Sequence, residues 1–374
     1  MKRFIIILCL WFGCHQPLFG WQQHDLVTSL ALQEVAWLDT YASIPVTSFQ
    51  QLLSKAFSKN FSEKDFLRQY QLNESYKIAF KSPDDTHMGK FPTPGEKTSA
   101  RDILVHYADE PDWGMDQNLN ISPDQPYMGG TVGPTSQAFR HLFLKKWTLS
   151  APFRTFHVPP RQMGEAPERA QIYYTLAQTA FEAKEPYWAF RFLSWALHYI
   201  EDLGQPFHSS QLLTPKFVSW ENIFDFKKSV KRTTQIIANY HFIYEEYVAY
   251  RIQKELKEKK ETLFSGALRG QPFKQSSSAF LIAQHQADAS SRAAFDIGET
   301  SILFFGKKFF DEAIDVPNSP VGTFSVEKFD ALKKISSLEQ KHKDLFFKRT
   351  RESLEKTGLY VRSLLELAKE EFLR

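Results

Sequence analysis

The sequence predicts an all-α fold, and three observations predict it. Long stretches free of proline and glycine carry apolar residues at helical spacing, most clearly Glu168 to Ala183 and Tyr187 to Ile200. Proline and glycine gather between such stretches, at 121–135, 157–167, 266–272 and 317–322, where they act as breaks. No run alternates apolar and polar residues over enough positions to demand a sheet. The chain has 374 residues, 34 of them Phe, which is enough apolar material for one large domain or two.

Taken in order, the chain begins with Lys2-Arg3, an apolar run from Phe4 to Phe12, and a polar break at His15-Gln16-Pro17. That is the layout of a secretion signal, and the run is too short to span a membrane well. Cleavage after Gly20 makes 1–20 the signal peptide and places the mature protein outside the cytoplasm, secreted or periplasmic. Both cysteines, Cys9 and Cys14, fall inside that signal, so the mature chain relies on its core and on bound metal rather than on disulfides. A first helix is predicted from Asp25 to Leu38, further helical pieces over Phe49–Phe57 and Glu63–Phe80, and a loop over Lys81–Thr98. Ser99–Tyr107 reads as a short helix leading into Ala108-Asp109-Glu110-Pro111-Asp112-Trp113. After an irregular loop at 121–135, Gln137–Leu142 resumes an apolar pattern, and His157-Val158-Pro159-Pro160 is read as another loop. Pro167 suits the first turn of the helix that follows. Phe217–Glu261 reads as one long helix or two, with a charged, solvated far end. Ser278–Ile314 is helical again. The domain therefore covers 21–314, a linker covers 315–325 (Pro317, Pro320, Gly322), and a C-terminal helical segment covers 326–374.

The chemistry centres on Leu197-His198-Tyr199-Ile200-Glu201-Asp202-Leu203-Gly204-Gln205-Pro206-Phe207-His208. His198 and Asp202 are four apart, so a helix puts both on one face, close enough to hold one ion. Gly204 and Pro206 then break the helix, and the turn can bring His208 back to the same face. His241 and Glu245 repeat the four-residue spacing in the next long helix. Two His–carboxylate pairs and a third His match what Zn²⁺ accepts. Several ionisable groups in apolar helices are costly unless they are paired or metal-bound. Structural zinc sites are closed four-ligand arrangements dominated by cysteine. A large cysteine-free donor set points instead to an open catalytic cluster, against a non-catalytic helical interaction protein. The net charge is only +3, from 46 basic and 43 acidic residues, and no dense Arg/Lys patch is interleaved with aromatics. A stable nucleic-acid partner is not expected.

The segment His198-x-x-x-Asp202-x-x-Gln205-Pro206-x-His208 followed by His241-x-x-x-Glu245 resembles the zinc-dependent phospholipase C and S1/P1 nuclease superfamily. The resemblance spans 21–247 by motif. It implies a multi-helix catalytic bundle holding Zn²⁺, three ions in one cleft, with the first mature residue, Trp21, binding one ion through its amino group and carbonyl. His24 would be the next ligand, although only two residues separate it from Trp21, fewer than is usual in the family. Asp112 matches a Pro-Asp-aromatic motif and His141 the histidine of a later segment. His198, Asp202 (bridging two ions), His208, His241 and Glu245 complete the implied metal set. Asp112 is also the implied catalytic group, placed to orient or deprotonate the attacking water. Glu201 departs from the glycine that many relatives carry before the bridging Asp. Gln205 and backbone carbonyls are the expected acceptors fixing the histidine rings.

The resemblance implies a monomeric phosphoric diester hydrolase acting on phospholipid at a membrane surface, with phosphatidylcholine the expected substrate. The competing reading is a single-strand nuclease. Lipid is favoured because Ser209-Ser210-Gln211-Leu212-Leu213 lacks the glycine-rich region that follows in the nucleases, because Pro111-Asp112-Trp113 looks like the lipases, and because cysteine is absent from the mature chain.

Overall fold

Proline in the first turn and an unbroken apolar run make Pro186–Gly204 a helix. Apolar residues surround it on every side, so it is buried from Tyr187 to Gly204 and forms the axis of the fold. The computed structural model describes residues 23–78, 91–123, 136–151, 154–158, 163–213, 226–259, 262–306 and 340–373. In chain order its helices are α1 (His24–Ala31), α2 (Phe49–Ala56), α3 (Glu63–Gln69), α4 (Ala100–His106), α5 (Ser136–His141), α6 (Ala166–Glu182), the axial α7, α8 (Pro206–Ser209), α9 (Phe226–Glu258), α10 (Ser265–Leu268), α11 (Ala279–Phe305) and α12 (Gln340–Phe372). Short 3-10 helices lie at Ala36–Tyr41 and Glu110–Trp113. The fold is all-α, as predicted.

α6 and α7 form a helical hairpin, and α4, α11 and α12 pack on the remaining sides of α7. Trp188, Phe192 and Trp195 of α7 share one core with Tyr173 of α6, Ile103 of α4 and Val361 and Leu364 of α12. A second cluster joins Val27 of α1, Tyr244 and Val248 of α9, Phe304 of α11 and Phe346 of α12. The C-terminal helix is therefore packed directly on the helices that surround the site.

The polar residues of α7 fall on one stripe at three- and four-residue spacing, and each meets a partner on the neighbouring chain. The Arg191 guanidinium pairs with Glu110, the Ser194 hydroxyl donates to Leu104 O, and the Trp195 indole donates to Glu110. His198 Nδ1 lies 2.7 Å from Ala108 O, and Glu201 meets α1. This stripe aligns α4, the 110–113 turn and α1 against the buried helix.

Several expectations need correction. The first predicted helix stops at Ala31 rather than Leu38, because the Arg101 guanidinium donates to Leu32 O and Val35 O, occupying carbonyls the helix would use. Glu34 turns the chain at φ 68° before the 3-10 helix. Small sheets exist where none was expected. β1 (Ile44–Pro45) pairs with β2 (Lys97–Thr98) within what was read as loop. β3 (Lys146–Ala151) pairs antiparallel with β4 (Arg154–Val158) and parallel with β5 (Ser210–Leu213). Thr148, Thr155 and Val158 favour extended chain, but these strands are too short for alternation to stand out, and His157–Val158 ends a strand rather than opening a loop. α11 stops at Gly306, whose φ of 87° suits a glycine terminator. Residues 1–22, the 315–325 linker and 326–339 lie outside the described residues. Among those described, no helix is long and apolar enough to cross a membrane.

Candidate metal centre

The α7 axis carries His198 and Asp202 one turn apart and ends at Gly204, as its sequence requires. Gln205 leaves the helix, Pro206 opens α8, and His208 returns so that its Nδ1 stands 3.3 Å from Asp202 Oδ1. The Phe143 amide donates to His208 O at 2.9 Å, tying the end of α5 to α8 and bringing His141 into the site. Asp112 sits in the 3-10 turn opened by Glu110-Pro111. Glu110 is held there by Arg191, Trp195 and the Tyr76 hydroxyl, so the turn cannot shift without breaking a buried ion pair.

Asp202 is the hub. Its Oδ2 faces His141 Nδ1 at 2.8 Å and His198 Nε2 at 3.2 Å. Its Oδ1 faces His208 Nδ1 and, at 3.7 Å, His24 Nε2. Asp112 Oδ1 lies 3.5 Å from His141 Nδ1 and 3.8 Å from His198 Nε2. The structure thus brings together His24, Asp112, His141, His198 and Asp202, all fully or almost fully buried. Two donor groups with ligand atoms close enough to share an ion are His24–Asp112–His198 and His141–His198–Asp202.

A third such group is His208–His241–Glu245. His208 Nε2 is 2.7 Å from His241 Nε2, and Glu245 Oε1 is 2.7 Å from His241 Nε2 and 3.2 Å from His208 Nε2. The four-residue spacing on α9 places both of its ligands on one face, as predicted. Gln205 acts differently from expectation. Its Nε2 donates to Glu245 Oε1 at 3.1 Å, so it steadies a carboxylate rather than an imidazole. Backbone carbonyls do fix rings: Ala108 O meets His198 Nδ1, and His141 O meets His208 Nδ1 at 3.1 Å.

Around these donors stands a set of residues that the sequence did not single out as supports. Asp116 Oδ2 faces His141 Nε2 at 3.3 Å and is itself held by Arg140 at 2.6 Å and by the Tyr199 hydroxyl. Gln137 donates to Asp112 Oδ1 at 2.7 Å. Asp109 accepts the His24 amide at 2.7 Å and fastens the start of α1. Glu201 faces neither solvent nor an open cleft. It is fully buried against His24 and Thr28.

The electrostatics call for positive charge at this point. Burial alone would lower the His141 imidazolium, but Asp202, Asp116 and Asp112 outweigh it and raise its pKa to about 10. Burial would raise Asp202, yet His198 and His141 hold it well below the usual carboxylate range. At the other carboxylates burial outweighs the neighbouring groups. Burial pushes Glu245 up to about 8 and raises Asp112 and Glu201 as well.

The donors fit a metal. Both oxygens of Asp202, His24 Nε2 and Glu245 Oε2 are buried without a hydrogen bond of sound geometry. Buried polar atoms are normally satisfied, and a cation shared among converging lone pairs satisfies several at once. Imidazole and carboxylate donors without thiolate are compatible with Zn²⁺ and with other first-row divalent ions. Trp21 lies outside the described residues. His106 belongs elsewhere, its Nδ1 meeting Asp102 O one turn back in its own helix. The sequence matches no protein-family model and no curated protein.

Proposed function

We propose that this chain is a secreted zinc-dependent phosphoric diester hydrolase of the phospholipase C kind, cleaving phosphatidylcholine or a related glycerophospholipid to diacylglycerol and a phosphorylated headgroup. The observation that carries this reading is Asp202, a buried carboxylate that shows one oxygen to each of two histidine pairs and has both oxygens unsatisfied. A carboxylate with both oxygens available to ions, beside a separate His–His–Glu group, is a donor set that would suit a multi-ion hydrolase.

His24, Asp112, His141, His198 and Asp202 would hold the paired ions, with Trp21 completing the set, and His208, His241 and Glu245 the remaining one. When bound, zinc supplies Lewis-acid polarisation of the phosphoryl oxygens and a water nucleophile at neutral pH. The residues of the chain do the positioning. Asp112 is the group assigned to take the proton of the attacking water. Gln137 fixes its orientation by donating to Oδ1 at 2.7 Å. Ala108 O and His141 O hold His198 and His208 in one ring orientation, so the ligand nitrogens need not reorganise. Lipid is favoured over single-stranded nucleic acid by the chain after His208. Ser210–Leu213 is a strand hydrogen-bonded to β3, where the nuclease resemblance would call for a glycine-rich turn.

The test is release of phosphocholine from phosphatidylcholine vesicles by the chain beginning at Trp21, with zinc and with chelator. Release is expected with zinc and absent with chelator, and Asp112→Asn should slow it by about 10²–10⁴-fold. His198→Ala should abolish it. Folded, zinc-loaded protein that releases nothing from vesicles but cuts single-stranded DNA would overturn the lipid assignment in favour of the nuclease.

A further inference from the structure

His24 is gripped between two consecutive residues of α7. Its Nδ1 lies 2.8 Å from Glu201 Oε2, while its Nε2 points to Asp202 Oδ1 at 3.7 Å. Successive side chains on a helix diverge by about 100°, so Glu201 and Asp202 reach the imidazole from its two ends. The second oxygen of Glu201 is occupied too, because the Thr28 hydroxyl donates to Oε1 at 2.6 Å. Thr28 lies on α1, one turn after His24, so α1 supplies both the ring and the hydroxyl that secures the carboxylate. His24, Thr28 and Glu201 are 0% exposed. The outcome is a single ring orientation, with Nδ1 engaged by Glu201 and Nε2 left facing Asp202. Nε2 is also the buried nitrogen without a hydrogen bond.

We infer that Glu201 is a positioning residue that fixes His24 as a metal ligand through a Thr28–Glu201–His24 relay. This rests on the proposed metal centre. A carboxylate on the far nitrogen of a ligating histidine orients the ring and raises its basicity. The relay also gives α1 a way to hold its ligand despite the short stretch between Trp21 and His24. The glycine that many members of the resembled family carry at this place has no side chain to do so.

The test measures zinc stoichiometry and stepwise affinity by competition with a chromophoric chelator, for the wild type, Glu201→Ala, Glu201→Gln, Thr28→Val, His24→Ala and the Glu201→Ala/His24→Ala double variant. One class of ion should weaken by about 10–100-fold in Glu201→Ala, with the other classes unchanged. Glu201→Gln, which keeps an acceptor for Nδ1–H, should retain part of that affinity, and Thr28→Val should lose a smaller part. The double variant should bind no more weakly than His24→Ala alone, because Glu201 acts only through that ring. A purely structural role would lower melting temperature and leave the affinities of the folded protein alone. Unchanged affinities in Glu201→Gln and Thr28→Val, or additive losses in the double variant, would overturn the relay while leaving the metal centre intact. Wild-type protein that binds no zinc would overturn the metal centre itself.

Discussion

Asp116 shows how a residue outside the donor set governs it. Its carboxylate is fully buried between Arg140 and Arg169, with His141 on its other oxygen. Burial alone would raise its pKa, but Arg140 and Arg169 hold it far below the ordinary value of 3.8. Asp116→Asn would leave two buried guanidinium groups without their anion, and breaking such a pair costs about 3–5 kcal/mol. Urea unfolding should show that loss at pH 7. A depressed folded-state pKa contributes stability that is complete above the unfolded value and lost as pH falls through the folded one. The gap between wild type and Asp116→Asn should therefore be flat at neutral pH and begin to shrink below about pH 4. Asp116 was not legible in the sequence, while His198, Asp202, His241 and Glu245 were. Those four announce themselves through four-residue spacing, two on α7 and two on α9. Asp116, by contrast, is defined by His141 and Arg140, which lie 25 and 24 residues away along the chain, and by Tyr199, 83 away. Glu201 was visible as an anomaly, but its partner lies 177 residues away, so its role waited on the fold.

At the scale of elements, the contact between α7 and α12 is set by a glycine. A Cβ built on Gly204 would stand 2.3 Å from Thr357 Oγ1, a distance real side chains do not tolerate. Gly204→Ala should force the helices apart and cost about 1–3 kcal/mol, read as a lower urea midpoint. Adding Thr357→Ala should recover part of the loss, since the threonine Cβ would still be only 3.1 Å away. The sequence predicted a helix break at this glycine and the break is there, but the close approach of α12 depends on a segment more than 150 residues away. The same limit explains the first helix. Its apolar spacing continued to Leu38, and only Arg101 on α4 shows why it ends at Ala31. The strands β3 to β5 were missed because a few residues of extended chain carry too little period to read, and β5 finds its partner in parallel across a long connection.

For the whole molecule, the proposed metal centre and the core are one construction, since the orphaned donors lie among fully buried residues. Chelation should therefore loosen the fold as well as stop the proposed hydrolysis. Ions at about 100 times their dissociation constant add about 2.7 kcal/mol, so stripping them should lower the melting temperature by about 3–4 °C in a chain of this size. Zinc should restore it, as followed by circular dichroism. An early turn of the chain and its last described helix also meet in that core. The Tyr41 hydroxyl donates to Phe372 O at 3.0 Å, and the Phe372 ring stacks on Phe181 at 4.3 Å. Proteins are made from the N-terminus onward, and α7 cannot be enclosed until α12 arrives to cover it. A ribosome that has delivered the whole candidate donor set still holds a chain with an open flank, and such a chain should stay sensitive to protease until residues 360–372 have folded back onto α7.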